Sequence, residues 1–283
     1  MFKWNRIIVA LIGIPLLMFV YLDRNFYGIP LLIFTNLVVG IGVFEFYRML
    51  KNTDKKAYDK FGILVSIAIP NTIYLKNFYA LSISETEIVI LSAVLILVYR
   101  VFKNEIKGSL EVTSLTVLGI IYVSCFFSQI LKIYHYTEIE FLNIKITYGF
   151  LLLIQILVWT SDTFAGVVGL SLGRKFFKNG FTEISPKKSV EGAIGSLLLT
   201  GITSALISLY FTDKISFATV FFTFIIGVFI SFVSQIGDLI ESLFKRECGI
   251  KDSGTILMGH GGVLDRFDSM ILVVPVVYLI LTI

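Results

Sequence analysis

Long apolar stretches alternate with short charged stretches along the whole chain of 283 residues. A helix needs about 20 mostly apolar residues to cross the hydrocarbon core of a bilayer. The predicted spans are residues 6–22, 28–48, 61–75, 86–102, 111–131, 148–171, 192–211, 217–240 and 267–283. The pattern therefore predicts an all-α integral membrane protein with about nine transmembrane helices.

Composition supports this interpretation, because 56% of the residues are apolar and the mean hydropathy is +0.88. These values lie far from the usage of a soluble domain. No internal repeat or long linker divides the chain, so residues 1–283 are predicted to form a single polytopic membrane domain. Residues 1–133 have few polar groups inside their spans and are predicted to be mainly scaffold, whereas residues 149–283 are predicted to be the catalytic half.

The distribution of positive charge predicts the orientation of the chain. Of the 24 lysines and arginines, nineteen fall on one set of alternate loops and five on the other. Because cytoplasmic loops are enriched in these residues, the amino terminus is predicted to be cytoplasmic, and the protein to be multi-pass in the inner (cytoplasmic) membrane. The charged segments 172–191 and 242–266 then share the cytoplasmic side. The net charge of +4 is explained by these loops facing anionic headgroups, so no nucleic-acid partner is expected.

Two carboxylates lie inside predicted spans. Asp162, in WTSDTFAGVVG (159–169), is predicted to be a buried functional carboxylate, because a charge at membrane depth is costly unless it is paired or ligating. The alternative is helix packing through the small residues around it. Glu45 lies near the end of the second span, and pairing with Arg48 or solvation at the interface is the favoured interpretation. A contribution of Glu45 to the site is the alternative.

The segment ISPKKSVEGAIG (184–195) combines two adjacent cations, Lys187 and Lys188, with a predicted helix start. Ser189 is predicted to cap that helix, with Glu191 in its first turn. Cationic side chains and free backbone N–H groups at one helix start suit a phosphate group. The alternative is an ordinary positively charged loop before a capped helix.

A polar stripe runs from the eighth span into the charged segment that follows it. Ser234, Asp238, Glu241 and Lys245 are spaced by four, three and four residues, so they share one helix face. Snorkelling to the interface accounts for Lys245 but not for Asp238. The stripe therefore predicts a functional carboxylate at Asp238.

The segment GHGGVLDRFD (259–268) places glycines around His260 and two carboxylates, Asp265 and Asp268, at i and i+3. If a helix starts there, both carboxylates share the face of its first turn, ready to hold a cation opposite Asp238. Magnesium fits such ligands best, and zinc is disfavoured because no CxxC or HExxH pattern is present. His260 is equally explained as a structural hydrogen-bonding residue in a tight loop.

Together these residues resemble the phosphatidate cytidylyltransferase family, also called CDP-diacylglycerol synthases. The family pattern is Ser, any residue, apolar, Lys-Arg, four residues, Lys-Asp, a short gap, His-Gly-Gly, apolar, any residue, Asp-Arg, apolar, Asp. The matching positions are Ser242, Lys245, Arg246, Lys251, Asp252, His260, Gly261, Gly262, Asp265, Arg266 and Asp268. Met258 departs from the family's usual Pro or Gly. The likeness covers about residues 155–270.

The resemblance implies that phosphatidate attacks the α-phosphorus of CTP, giving CDP-diacylglycerol and pyrophosphate. It implies Mg²⁺ as the cofactor, held by Asp238 and Asp265, with Asp268 or Asp162 in support. Arg266 would offset charge on the leaving pyrophosphate, and His260 would orient a phosphate oxygen. The residues expected to bind the substrates are Lys187, Lys188, Ser242, Lys245, Arg246, Lys251, Asp252, Gly261 and Gly262.

The expected partners are CTP, phosphatidate and the lipid bilayer, with a second copy of the chain in a homodimer as a further candidate. Two other functions fit the same charged residues. One is a different CTP-dependent enzyme that acts on lipids, such as a lipid kinase or a transferase for another lipid phosphate. The other is a transporter of ions or phosphate metabolites that uses Asp162 and Asp238 as a pathway across the membrane.

Overall fold

The computed structural model describes residues 4–23, 25–79, 82–135, 139–141, 144–146, 149–178, 180–211, 216–256 and 261–282. Helices dominate these ranges, and the strands described in them are β1 (Ile139–Phe141) and β2 (Ile144–Ile146), which pair antiparallel. The helices are α1 (Trp4–Leu22), α2 (Ile29–Leu50), α3 (Asp59–Tyr79), α4 (Glu85–Phe102), α5 (Ser109–Gly119), α6 (Phe126–Ser128), α7 (Ile130–Tyr134), α8 (Phe150–Leu172), α9 (Val190–Phe211), α10 (Phe217–Glu247) and α11 (Leu264–Thr282). A π-helical segment, Ile120–Cys125, joins α5 to α6. The predicted all-α class is confirmed.

Helices long and apolar enough to cross a membrane occur throughout the described part of the chain. The five that meet both conditions are Ile29–Leu50, Ser109–Tyr134, Phe150–Leu172, Val190–Tyr210 and Phe217–Glu247. Helices α4 and α11 each carry three charged residues, which lie within the first or last five residues of the helix. The protein is therefore a multi-pass membrane protein.

Among the helices that extend beyond their predicted limits, α10 and α11 bear on the site. Helix α10 continues past residue 240 to Glu247, so Ser242, Lys245 and Arg246 are helical. Its last turn carries Lys245 and Arg246, where positive charge is favoured by the partial negative charge of a helix carboxyl end. Helix α11 begins at Leu264, so Asp265 lies in its first turn, as the sequence predicts.

The chain divides into two compact units. Unit 1 comprises Met1–Lys132, Phe244–Phe267 and Val277–Ile283, and unit 2 comprises Ile133–Leu243 and Asp268–Val276. Most of the charged segment that follows α10 therefore belongs to the same unit as the amino-terminal helices.

Unit 1 is packed around aromatic side chains. The ring of Phe244 lies edge-on to those of Phe46 and Tyr122, with ring centroids 5.9 and 5.2 Å apart. The Tyr47 hydroxyl donates to the backbone oxygen of Thr116 at 2.6 Å. Edge-to-face rings and a satisfied hydroxyl suit a dry interior, so the end of α2 is firmly positioned.

Unit 2 is packed through small and hydroxyl-bearing residues. The hydroxyl groups of Ser161, Ser196 and Ser231, on α8, α9 and α10, lie 2.8–3.1 Å from one another, and all three side chains are buried. Gly227 faces the backbone of α9, where a Cβ atom would lie 2.7 Å from the oxygen of Thr200. Small residues and hydroxyl bridges hold membrane helices close together, and here they position the end of α10 that carries Asp238.

Candidate active site

Asp265, at the start of α11, holds the preceding loop in place. Its Oδ2 atom accepts hydrogen bonds from the backbone N–H groups of Gly262 (2.7 Å) and Ser253 (2.9 Å). The Ser253 hydroxyl donates to the same atom at 2.8 Å. Gly261 permits this path of the chain, because its φ of 81° lies in the left-handed region that favours glycine. Asp265 therefore organises the glycine-containing loop.

The second oxygen of Asp265 is paired with a lysine. Nζ of Lys245 lies 2.7 Å from Oδ1, and each of the two side chains is only 9% exposed. Asp265 precedes the apolar part of α11. Burial raises the pKa of its carboxyl group. Hydrogen bonds from Lys245, Gly262 and Ser253 outweigh this effect and hold the pKa below its ordinary value. The carboxylate is therefore charged at neutral pH, with both oxygens engaged.

Glu45, on α2, supports the same loop from another helix. Its carboxylate accepts hydrogen bonds from the backbone N–H groups of Val263 (3.2 Å) and Leu264 (2.8 Å) and from the Ser253 hydroxyl (3.4 Å). A Cβ atom on Gly262 would collide with this carboxylate. Two free N–H groups at the start of α11 are thus satisfied by a carboxylate from α2.

The favoured interpretation of Glu45, pairing with Arg48 or interfacial solvation, is wrong. The residue is 1% exposed, and its hydrogen bonds go to the loop and the start of α11. Its value to the loop comes from contacts between residues more than 200 positions apart, which helix spacing cannot reveal. The signal in the sequence was a carboxylate inside an apolar helix, together with glycines that leave room for it.

In unit 2, a carboxylate also organises the loop before α9. Glu191 accepts hydrogen bonds from the backbone N–H groups of Arg174 (3.1 Å), Phe176 (2.8 Å) and Phe177 (2.9 Å). The backbone N–H of Phe181 donates to the oxygen of Lys188 at 2.8 Å. These bonds fix the lysine-bearing end of the loop.

The predicted cap of α9 is present. The Ser189 hydroxyl accepts a hydrogen bond from the backbone N–H of Gly192 at 3.1 Å, which is the expected geometry for an N-cap. The preceding residue, Lys188, places its Nζ 2.5 Å from Oδ2 of Asp238 on α10. The Ser242 hydroxyl, one turn further along α10, donates to Oδ1 of Asp238 at 3.3 Å.

The Lys188–Asp238 pair is open to a ligand, because its side chains are 33% and 29% exposed. Lys187 is exposed. Unit 2 therefore presents two adjacent cations and one carboxylate at the start of α9, which suits a phosphate group and a cation bound to that phosphate.

The donor set bears on the predicted magnesium site. Within the described ranges, no group of three or more His, Cys, Asp or Glu side chains could hold a metal ion. Mg²⁺ in nucleotide enzymes is commonly held by one or two carboxylates together with substrate phosphates and water. The half-exposed Asp238 fits that mode, in which the ion is bound together with a substrate phosphate.

Comparison with known sequences agrees with these observations. The chain matches the sequence pattern of the Cytidylyltransferase family over residues 4–283. The chain belongs to this family. It is 32% identical over 253 residues to the phosphatidate cytidylyltransferase of Bacillus subtilis (strain 168), covering 88% of each chain. It is also 41% identical over 127 residues to that of Rickettsia bellii (strain RML369-C), which covers 44% of this chain and 54% of the relative. The protein of the same name from Staphylococcus aureus (strain COL) is 42% identical over 136 residues, 48% of each chain.

The other signature residues of this cytidylyltransferase differ in exposure. Gly262 and Ser242 are buried, Gly261 and Asp268 are half-buried, and His260 lies outside the described residues. Nη1 of Arg246 donates to the backbone oxygen of Ile250 at 3.0 Å. The exposed members are Arg246, Lys251, Asp252 and Arg266.

The predicted burial of Asp162 is wrong. The residue lies near the middle of α8, as predicted, but its side chain is exposed. The neighbouring Ser161 is the buried polar group, with its hydroxyl bonded to α9 and α10. Successive helix positions are turned by about 100°, so a buried Ser161 directs Asp162 away from these helices. The proposed role of Asp162 at a metal stays a prediction.

Proposed function

We propose that this family member transfers the cytidylyl group of CTP to phosphatidate, giving CDP-diacylglycerol and pyrophosphate for phospholipid synthesis. The observation that carries the proposal is the match to the Cytidylyltransferase family along residues 4–283, with a relative named phosphatidate cytidylyltransferase that aligns over most of both chains. The charged residues on α9, α10 and α11 suit two phosphate-bearing substrates.

In the proposed reaction, a phosphate oxygen of phosphatidate attacks the α-phosphorus of CTP. A new phosphorus–oxygen bond forms, and the bond from the α-phosphorus to the oxygen bridging to the β-phosphorus breaks, so pyrophosphate leaves with the electron pair. The attacking phosphate is already anionic near neutral pH, so the step needs little help from a base. Orientation and neutralisation of charge then dominate catalysis.

The two clusters receive different tasks in this proposal. Lys187 and Lys188 hold substrate phosphates at the start of α9, where a phosphate competes with Asp238 for the Lys188 ammonium group. Asp265 and Lys245 keep the loop that precedes α11 in its active conformation. Arg246, Lys251 and Arg266 are exposed and neutralise the remaining phosphate charge.

We propose Mg²⁺ as the cofactor, with Asp238 as the carboxylate that holds it together with a substrate phosphate. When bound, the ion would neutralise phosphate charge in the transition state. Asp265 is a weaker candidate ligand, because a lysine and three hydrogen-bond donors already engage its two oxygens.

We also propose nine membrane crossings, a cytoplasmic amino terminus and a location in the inner membrane. The support is the asymmetry of lysine and arginine between alternate loops. The charged loops then open to cytoplasmic CTP, while the acyl chains of phosphatidate stay in the bilayer. This arrangement gives a physical reason for a membrane-embedded enzyme.

The test uses CTP labelled at either end of its triphosphate. Purified protein is incubated with phosphatidate, Mg²⁺ and either α-³²P- or γ-³²P-labelled CTP, and the lipid fraction is counted. The proposal expects α-label in CDP-diacylglycerol and γ-label only in pyrophosphate. Label from the γ position in lipid would indicate a CTP-dependent kinase, and unlabelled lipid in both arms would reject the assignment.

A further inference from the structure

A cavity of about 390 Å³ opens in unit 1, where the end of α2 meets residues 250–255. This volume lies within the range of roughly 300–1,000 Å³ that is usual for small-molecule sites. The loop side of the cavity includes Lys251 and Asp252 of the family signature. The helix side includes Arg48 and Asn52, which the signature does not contain.

The helix wall of this cavity continues the face of α2 that bears Glu45. Arg48 and Met49 follow Glu45 by three and four residues, which places all three on one side of the helix axis, and Asn52 lies in the turn that follows α2. Glu45 is bonded to Ser253, Val263 and Leu264. The loop is therefore anchored to α2 within one turn of Arg48. Hydrogen bonds between the two walls thus hold the cavity in shape.

The cavity has a cationic and hydrogen-bonding lining. Arg48 and Lys251 are exposed, and neither forms an ion pair within the described part of the chain. The Asn52 amide N–H donates to the backbone oxygen of Met49 at 3.2 Å, so this bond does not use the side-chain oxygen, which can accept a hydrogen bond from a ligand. A planar guanidinium group can bind two phosphate oxygens at once.

We propose that this cavity binds the nucleotide substrate, with Arg48 and Lys251 on its phosphates and Asn52 and Asp252 on its hydroxyl or amino groups. The inference rests on the proposed function and adds residues of α2 to it. The lipid substrate is the poorer occupant, because Met49 and Ile250 are the apolar side chains of the lining, and diacylglycerol would need a far more apolar wall.

The test compares Arg48→Gln, Arg48→Lys and the matched control Lys60→Gln, an exposed cation at the start of α3 outside the cavity. Each full-length protein is placed in lipid nanodiscs without phosphatidate, and binding of labelled CTP is measured by equilibrium dialysis. The KM values for CTP and for phosphatidate are then determined separately. Size-exclusion profiles verify that each variant is folded.

The proposal expects Arg48→Gln to weaken CTP binding and raise the KM for CTP about tenfold, as for loss of a charge-assisted hydrogen bond. The KM for phosphatidate should stay within about twofold, Arg48→Lys should be intermediate, and Lys60→Gln should match the wild type. Unchanged CTP binding in Arg48→Gln, or an increase only in the KM for phosphatidate, would overturn it.

The experiments can refute the proposed function and the cavity assignment independently of each other. If the wild type binds CTP but forms no labelled lipid, the proposed function falls, and the dialysis comparison still decides on the cavity. If the wild type forms CDP-diacylglycerol and Arg48→Gln binds CTP normally, only the cavity assignment falls.

Discussion

Two lysine–aspartate pairs in the charged segments of this chain differ sharply in burial. In unit 1, Lys245 and Asp265 are each 9% exposed, and three further donors bind the same carboxylate. In unit 2, Lys188 and Asp238 are 33% and 29% exposed, and the further hydrogen bond described for that carboxylate comes from Ser242. The two pairs look alike in the sequence, but their different burial indicates a structural role for the first and a ligand-binding role for the second.

The difference teaches which carboxylate can accept a ligand. A buried and fully bonded pair is costly to break, because either partner alone would leave an uncompensated charge. A half-exposed pair contributes only about 0–1 kcal/mol to stability, so a phosphate or a cation can replace one partner at little cost. We therefore expect substitutions at the first pair to affect folding as well as turnover, and those at the second to affect turnover alone.

The largest effect is expected for Asp265→Asn. It removes the charge opposite a buried lysine, which should lower the free energy of unfolding by about 3–5 kcal/mol and abolish turnover. Thermal melting in detergent measures the first effect. Adding Lys245→Met to Asp265→Asn should restore part of the melting temperature, because the unpaired cation is then gone. A double variant no more stable than Asp265→Asn would contradict the buried-pair interpretation.

Asp238→Asn should have the next largest effect. It should lower activity without changing stability. Loss of a carboxylate at the phosphate site should lower turnover by about 10²–10³-fold, with the melting temperature close to that of the wild type. Asp59→Asn is the matched control, because Asp59 also pairs with a lysine, Lys51, at 2.8 Å. The control should retain wild-type turnover. Similar activity in the two variants would remove Asp238 from the site.

The smallest effect is expected for Ser189→Ala, which removes the cap of α9. A lost N-cap serine costs about 1 kcal/mol. Ser216 caps α10 in the same way, with the N–H of Thr219 at 3.1 Å from its hydroxyl, so Ser216→Ala should lower stability equally. Only Ser189→Ala should also raise the KM for a phosphate-bearing substrate, because Ser189 follows Lys188. Unchanged KM values for both CTP and phosphatidate would show that the α9 start does not contact a substrate phosphate.

Much of the fold could be predicted from local pattern. Apolar length predicts the helices, and the spacing of Ser234, Asp238, Glu241 and Lys245 predicts a shared face, since these side chains are buried or half-buried. The cap at Ser189 follows from its place before an apolar helix. These features depend on residues that are close together in the chain.

The site was less predictable, because its contacts join residues far apart in the chain. Glu45 and Leu264 are separated by 219 positions, and no local pattern relates them. Asp162 and Ser161 are neighbours in the chain but point in directions about 100° apart, so the orientation of α8 decides which of them is buried. Likewise, the sequence does not distinguish the Lys245–Asp265 pair from the Lys188–Asp238 pair. Only their burial in the structure shows that the first is structural and the second is accessible.

Amide hydrogen exchange tests most directly whether buried carboxylates hold the loop while the exposed pair serves the substrates. The amides to follow are Val263 and Leu264, which donate to Glu45. They should exchange slowly in the wild type, at least about tenfold faster in Glu45→Gln, and at the wild-type rate in Asp238→Asn. Fast exchange in the wild type, or equal acceleration by both substitutions, would contradict the account.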